Sequence, residues 1–334
     1  VFFNTIGIIT SALLCIFTFN LQSTELARSS KKKKKPHTSH IAPAAPALDH
    51  YVTVCSEGNQ LGGQLTTFAT ILGYAWAHGL HALFPKEMLL GLPGGEANYQ
   101  FIFYRLPQEL PPGTDPNLPT HMGAYSDARN PFPYYGGNIC ICGMPNYPLN
   151  YFHAYREKIR TLFGPSEEII LKLRQKYESV IDHPKTVAVH VRTYHPSYSI
   201  HWCLGEDYYE KAMNRFSNDH LFLIFSDRIG WCKDHLRLAN KQVVFIEGNS
   251  HIEDLYLISL CKNIIIANST FSWWGAYLKK DAEGLILAPE KWFPNESPAY
   301  RKTFYPSNYT TLPVPTIPTP NWDLLNYEST SIGI

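Results

Sequence analysis

From Thr186 to Pro289 the chain repeats one pattern, a short apolar run rich in β-branched and aromatic residues and then a longer stretch with helical periodicity. The apolar runs are "TVAVHV", "HLFLIFSD", "QVVFIEG", "NIIIANS" and "GLILAP", and "EDYYEKAMNRF", "WCKDHLRLA" and "IEDLYLISLC" separate the first four. Strands that are apolar at nearly every position have no face to turn to water, so they belong in a parallel sheet covered by helices on both sides. This makes the chain an α/β protein. Upstream, "YVTVC" (Tyr51 to Cys55) reads as a further short strand, and Gly62 to Gly79 as a glycine-rich turn leading into a helix. Ser166 to Ile181 reads as a helix capped by Ser166, with Glu167 and Glu168 in its first turn.

In such sheets ligands bind beyond the carboxyl ends of the strands, and the polar residues gather there. His190 and Arg192 end one strand, Ser226-Asp227 the next, Glu247-Gly248-Asn249 the third and Asn268-Ser269-Thr270 the fourth. Arg192 offers a planar fork suited to phosphate oxygens. The segment from Asn268 to Ser272 opens a helix, where hydroxyls and free backbone N–H groups favour an anion. Asp227 is placed either to accept from a guanine edge or a ribose hydroxyl, or to cap the helix after it. Together these residues predict a nucleotide-diphosphate pocket. No G-x-x-x-x-G-K-[ST] loop is present, which argues against a P-loop ATPase. No Asp-x-Asp pair is present either, so Arg192 and the helix dipole are expected to meet the diphosphate charge without a metal. Capping alone would engage one of Asn268, Ser269, Thr270 and Ser272, so the set is assigned to ligand contact, whereas Trp273 and Trp274 are assigned to the core.

The 334 residues suffice for two domains of ordinary size, and a formal net charge of +1 argues against a nucleic-acid binder. Cysteines 15, 55, 140, 142, 203, 232 and 261 lack the paired spacing of a zinc site, and their odd number fits no complete disulfide framework, so structural thiols are expected. Residues 1–22 are apolar enough to form a transmembrane anchor. Arg28 and Lys31 to Lys35 follow, within a basic and Pro/Ala-rich linker that ends at residue 50. By the positive-inside rule, the remainder of the chain is expected on the cytoplasmic face. Residues 311–334 form a Pro-rich tail.

The long segment "DLYLISLCKNIIIANSTFSWWGAYL" resembles the most characteristic motif of the glycosyltransferase family 11 fucosyltransferases, mostly α-1,2-linking enzymes that use GDP-fucose. "GGQLTTFATILGYAWAHG" is similar to that family's first motif and helix, "YREKIRTLFG" to its middle helix, "VAVHVRTYH" to its H-x-R-R-x-D motif and "FSDRIGW" to its F-S-D segment. The resemblance covers roughly Val52 to Phe293. It implies a GT-B architecture, two Rossmann-like domains facing a cleft, with metal-independent transfer and inversion at the anomeric carbon. An acceptor-side domain is then expected at 51–184 and a GDP-fucose-binding domain at 185–310.

The resemblance further implies that Arg192 neutralises the β-phosphate and that His190 approaches the nucleoside. Gly62, Gly63 and Gln64 of the first motif join the donor-binding set, although a tight turn alone would also account for the glycines. Thr193 stands at the family's second arginine, His195 at its aspartate and Gly63 at its asparagine. His195 is thereby the first candidate for the general base, with an ordinary loop histidine as the alternative. The expected reaction is transfer of L-fucose from GDP-fucose to a sugar hydroxyl, α-1,2 to a galactoside, with inversion and no cofactor. Its rivals are an α-1,6 or protein O-fucosyl transfer, and a catalytically silent sugar- or nucleotide-binding membrane protein. The expected partners are GDP-fucose, a glycan acceptor and a membrane. A type II protein facing the Golgi lumen is the alternative to the cytoplasmic placement.

Overall fold

The computed structural model describes residues 50–56, 58–112, 120–124, 133–134, 136–142, 149–193, 204–281, 283–293 and 303–314. They fall in one compact unit, 45–334. In chain order the first part contains β1 (Tyr51–Ser56), α1 (Leu61–His78), β2 (His81–Leu83), α2 (Lys86–Leu90), α3 (Gly95–Phe101), β3 (Thr120–Ala124) and β4 (Asn138–Cys142). Three helices follow, α4 (Leu149–Phe152), α5 (Arg156–Phe163) and α6 (Glu167–Ile181). The second part alternates β5 (Thr186–Val191), α7 (Gly205–Met213), β6 (Leu221–Ser226), α8 (Ile229–His235), β7 (Gln242–Phe245), α9 (His251–Leu260), β8 (Asn263–Ile265), α10 (Thr270–Tyr277), β9 (Ile286–Pro289) and β10 (Tyr309–Leu312).

Among the described residues every strand pair is parallel. The first sheet runs β2-β1-β4-β3 and the second β10-β9-β8-β5-β6-β7. Every residue of β5 and β9 is buried, as the unbroken apolar runs require of strands covered on both faces. The second sheet has the doubly wound order, in which the chain starts at β5, winds outward to β7, and returns to β8 on the other side of β5. Its topological switch point therefore lies between β5 and β8. β10 crosses the expected boundary between residue 310 and the tail at 311, because Tyr309–Leu312 pairs with Ile286–Pro289.

Helix ends follow local chemistry. Ser166 caps α6 as expected, its Oγ accepting from the Ile169 N–H at 3.3 Å. The cap of α9 is Ser250, whose side chain and that of Glu253 form a reciprocal capping box, an S-x-x-E pattern legible in the sequence. Asp254, which resembles a cap in sequence, instead accepts from Asn249 Nδ2 at 2.9 Å. Asn249 Oδ1 in turn accepts from Tyr177 Oη at 2.9 Å, at the point where α6 departs from helical geometry.

Burial, reinforced by the neighbouring Glu253 charge, pushes the Asp254 carboxyl up to about 6. The native state thus holds this proton more tightly than the unfolded chain, and stability falls as pH rises from the ordinary value of 3.8 through about 6. Asp254→Asn keeps an acceptor for Asn249 and removes that penalty. Its melting temperature is expected to exceed the wild type's at neutral pH and to converge with it in acid. An equal difference at both pH values would refute the assignment.

Cys140 is disulfide-bonded, contrary to the expectation of structural thiols throughout. Cys232 and Cys261 are buried free thiols that burial pushes up to about 11 and about 12 respectively, which keeps them protonated and inert. No helix among the described residues is long and apolar enough to cross a membrane. The expected anchor at 1–22, and the linker up to 49, lie outside those residues.

Candidate active site at the switch point

β5 and β6 pair in register up to Val191 and Ser226. The next residues, Arg192 and Asp227, leave the sheet side by side, and Arg192 Nη1 donates to Asp227 Oδ2 at 2.6 Å. Both side chains are partly open to solvent, 40% and 36% exposed. The Arg192 backbone N–H donates to the hydroxyl of Tyr209 on α7 at 3.2 Å. Asp227 also accepts from its own backbone N–H and from that of Thr193. Burial pushes the Asp227 carboxyl up, with the Arg192 guanidinium pulling the other way. Asp227 does not cap α8, whose N-cap position is Arg228 and carries no side-chain cap bond.

His190, one residue before the end of β5, is only 7% exposed and lies with its ring 5.5 Å from that of Phe271. Burial, with the Arg192 charge added, lowers it to about 3, so the imidazole is neutral at physiological pH. Its Nδ1 is buried and has no hydrogen-bond partner among the described residues, and neither does Thr193 Oγ1. Such atoms need a water or a ligand group.

Across the switch point, the expected run of ligand hydroxyls divides. Asn268 is fully buried and its Nδ2 donates to the Trp292 carbonyl at 3.2 Å. Ser272 is buried too, its Oγ donating to the Ser269 carbonyl at 3.3 Å. Ser269 occupies the N-cap of α10 in extended geometry without a side-chain cap bond, and Thr270 is half-buried beside it. The first backbone N–H groups of α10 thus have no side-chain cap.

Gly62, Gly63 and Gln64 sit within the first turn of α1, not in a turn before it. A Cβ on Gly62 would lie 2.5 Å from the Phe271 nitrogen and 2.6 Å from Thr270 Oγ1, so the close approach that this glycine allows is to α10 itself. Gly63 faces the Asn59 side chain in the same way. Gln64 Nε2 donates to the carbonyls of Asn59 and Pro93 at 2.7 and 2.9 Å, and its Oε1 accepts from Asn98 Nδ2 at 2.9 Å. Asn98 Oδ1 then meets His251 Nε2 at 2.7 Å. Because the amide oxygen can only accept, that ring nitrogen carries the proton. These first-motif residues therefore join α1 to α9 and α10, and Gln64 has no amide hydrogen left for a ligand.

Trp273 and Trp274 belong to the core, as expected. Trp274 Nε1 donates to Thr66 Oγ1 on α1 at 2.9 Å, and its ring stacks on Phe152 at 5.6 Å. Trp273 Nε1 donates to the Phe304 carbonyl at 2.9 Å. At the far end of α10, Arg160 Nε donates to the Tyr277 carbonyl at 3.1 Å and another Arg160 nitrogen reaches the Lys279 carbonyl. A cation at a helix C-terminus meets its partial negative charge. Sequence reasoning missed this clamp, although the basic spacing of "REKIR" was a signal for it. It also missed Tyr209 and Phe271. His195, the candidate base, lies outside the described residues.

The strand order and the polar residues at the switch point place the chain among the doubly wound α/β proteins. It matches the model of Glycosyl transferase family 11 over residues 133–311, more than half its length, and belongs to that family. An alpha-1,2-colitosyltransferase of Escherichia coli is 39% identical over 159 residues, 44% of this chain and 53% of that protein. The chain thus spans about half the length of that relative. The human galactoside alpha-(1,2)-fucosyltransferase 1 is 28% identical over 273 residues, 73% of this chain and 70% of that one. Among solved structures, the fucosyltransferase NodZ from Bradyrhizobium aligns at 14% identity and a TM-score of 0.48, over 68% of this chain and 91% of that chain.

Proposed function

We propose that the chain is a galactoside α-1,2-fucosyltransferase that transfers L-fucose from GDP-fucose with inversion. The observation that carries this reading is the family match over 133–311, which encloses the switch point with Arg192, Asp227 and the N-terminus of α10. The 1,2 linkage is common to the names of the bacterial and the human relative, and the galactoside acceptor is in the name of the human one. In the proposed architecture, of GT-B type, the two parallel sheets belong to two halves, with the donor held by the second.

The acceptor hydroxyl oxygen forms a bond to C1 of the fucosyl unit while the C1–O bond to the diphosphate breaks, and GDP leaves with the electron pair. Negative charge grows on the leaving diphosphate, so Arg192 and the uncapped N–H groups of α10 contribute most where that charge develops. The hydroxyl proton goes to a base, for which His195 is the candidate. His190, neutral and buried, contributes shape and a hydrogen-bonding nitrogen rather than charge.

The Cys140 disulfide favours the luminal, type II placement over the cytoplasmic one, because the cytosol keeps thiols reduced. A second reading, with a colitosyl donor sugar, rests on the name of the relative at 39% identity. The mass of the transferred sugar separates the two. The deciding experiment is GDP release from GDP-fucose with and without a β-galactoside. Galactoside-dependent release that persists in EDTA is expected. A strict requirement for Mg²⁺ or Mn²⁺, or release indifferent to the galactoside, would overturn the reading.

A further inference from the structure

Asp227 is the one charged residue of the switch point whose placement does not suit the nucleobase contact expected of it. Its neighbour on β5 explains why. Parallel strands lie about 4.8 Å apart, so the residues that follow the last registered pair, Val191 and Ser226, are held within reach of each other. Asp227 Oδ2 is occupied by Arg192 Nη1 at 2.6 Å. The same carboxylate accepts from the Thr193 backbone N–H and its own, and Ser226 Oγ lies 3.5 Å from Oδ1. A guanine edge read by a carboxylate needs both oxygens in its plane, and this carboxylate is already engaged by the chain's own donors.

We propose that Asp227 is a positioning residue, which holds the Arg192 guanidinium against the sheet edge for the diphosphate and makes no contact with the base. The Tyr209 hydroxyl fixes the Arg192 backbone from one side, and Asp227 fixes the side-chain fork from the other. A guanidinium has five N–H donors in one plane, so a carboxylate on Nη1 fixes the orientation of that plane at the sheet edge. The proposal rests on the GDP-donor reading above and gives that reading a geometry.

The test is the sign of a coupling, read by titrating GDP and, in parallel, inosine diphosphate, which lacks the exocyclic amine of guanine. Asp227→Asn is expected to weaken GDP binding roughly 3- to 10-fold and to lower kcat, with the preference for GDP over inosine diphosphate unchanged. In the Arg192→Ala background the carboxylate is left without its counter-ion beside a diphosphate. There Asp227→Asn is expected to tighten GDP binding by roughly 3- to 10-fold. A base-reading aspartate predicts the reverse, weaker binding in both backgrounds and a preference that collapses toward one.

If Asp227→Asn does not fold, Asp227→Glu serves, since it keeps the charge for Arg192. It is expected to keep the guanine preference and part of kcat, and loss of that preference would refute the proposal. A wild-type chain that binds no GDP would instead overthrow the donor reading itself.

Discussion

Arg192→Ala is expected to lower kcat/KM by at least about 10³-fold, or about 4 kcal/mol of transition-state stabilisation, while the protein remains folded. The size follows from position. Arg192 stands at the switch point, at the end of the fully buried β5, with its side chain 40% exposed and its backbone tied to Tyr209. Charge that develops on a leaving diphosphate next to this edge meets a fixed cation, and single groups of this kind are worth 10²- to 10⁵-fold in phosphate-transferring and acyl-transferring sites. The partial exposure of the side chain keeps the structural cost small. Arg192→Lys is expected to restore little, because a point charge reproduces neither the planar fork nor its contact with Asp227. Acceptor-dependent GDP release by a folded alanine variant at a wild-type rate would remove Arg192 from the mechanism.

Trp274→Ala is expected to cost about 3–5 kcal/mol of folding stability. The side chain is fully buried, stacks on Phe152 and packs edge-on against Phe163 and Tyr277. Its Nε1 donates to Thr66 Oγ1. Phe152 and Phe163 come from α4 and α5 and Thr66 from α1, so the cavity would open where the first part of the chain packs on α10. Trp274→Phe leaves most of the apolar contact and loses the hydrogen bond, and is expected to fall between the two. Urea denaturation reads the difference directly. A loss below about 1 kcal/mol for the alanine variant would mean that the surrounding side chains close over the site and that the joint is loosely packed.

The question of what the tandem tryptophans and the run of hydroxyls do has a divided answer. The tryptophans are packing. Asn268 and Ser272 serve the chain's own carbonyls, and Ser269 and Thr270 remain at the uncapped start of α10. Composition alone cannot divide such a run, because the partner of each polar side chain is set by what the fold places opposite it. The partner of Asn268, the Trp292 carbonyl, comes from the segment after β9.

What the sequence by itself determined is whatever depends on near neighbours along the chain. The β-branched runs of β5 and β6, the Ser166 cap and the position of Arg192 one residue beyond a buried strand all follow from local sterics, local hydrogen bonding and the need to bury an apolar strand on both faces. S-x-x-E at Ser250 carries a signal of the same local kind for the cap of α9. Only the tertiary structure decided where Gly62 makes its close approach, that Gln64 is tied to Asn98 and through it to His251, and that Arg160 ends a helix more than a hundred residues away. It also paired Asp227 with Arg192. Each of these is a contact between groups that different elements bring together. A side chain's donors and charge are legible from its type, but which partner takes them up depends on the packing of elements distant in sequence, where an unmet buried polar group costs more than the chain can leave unpaid.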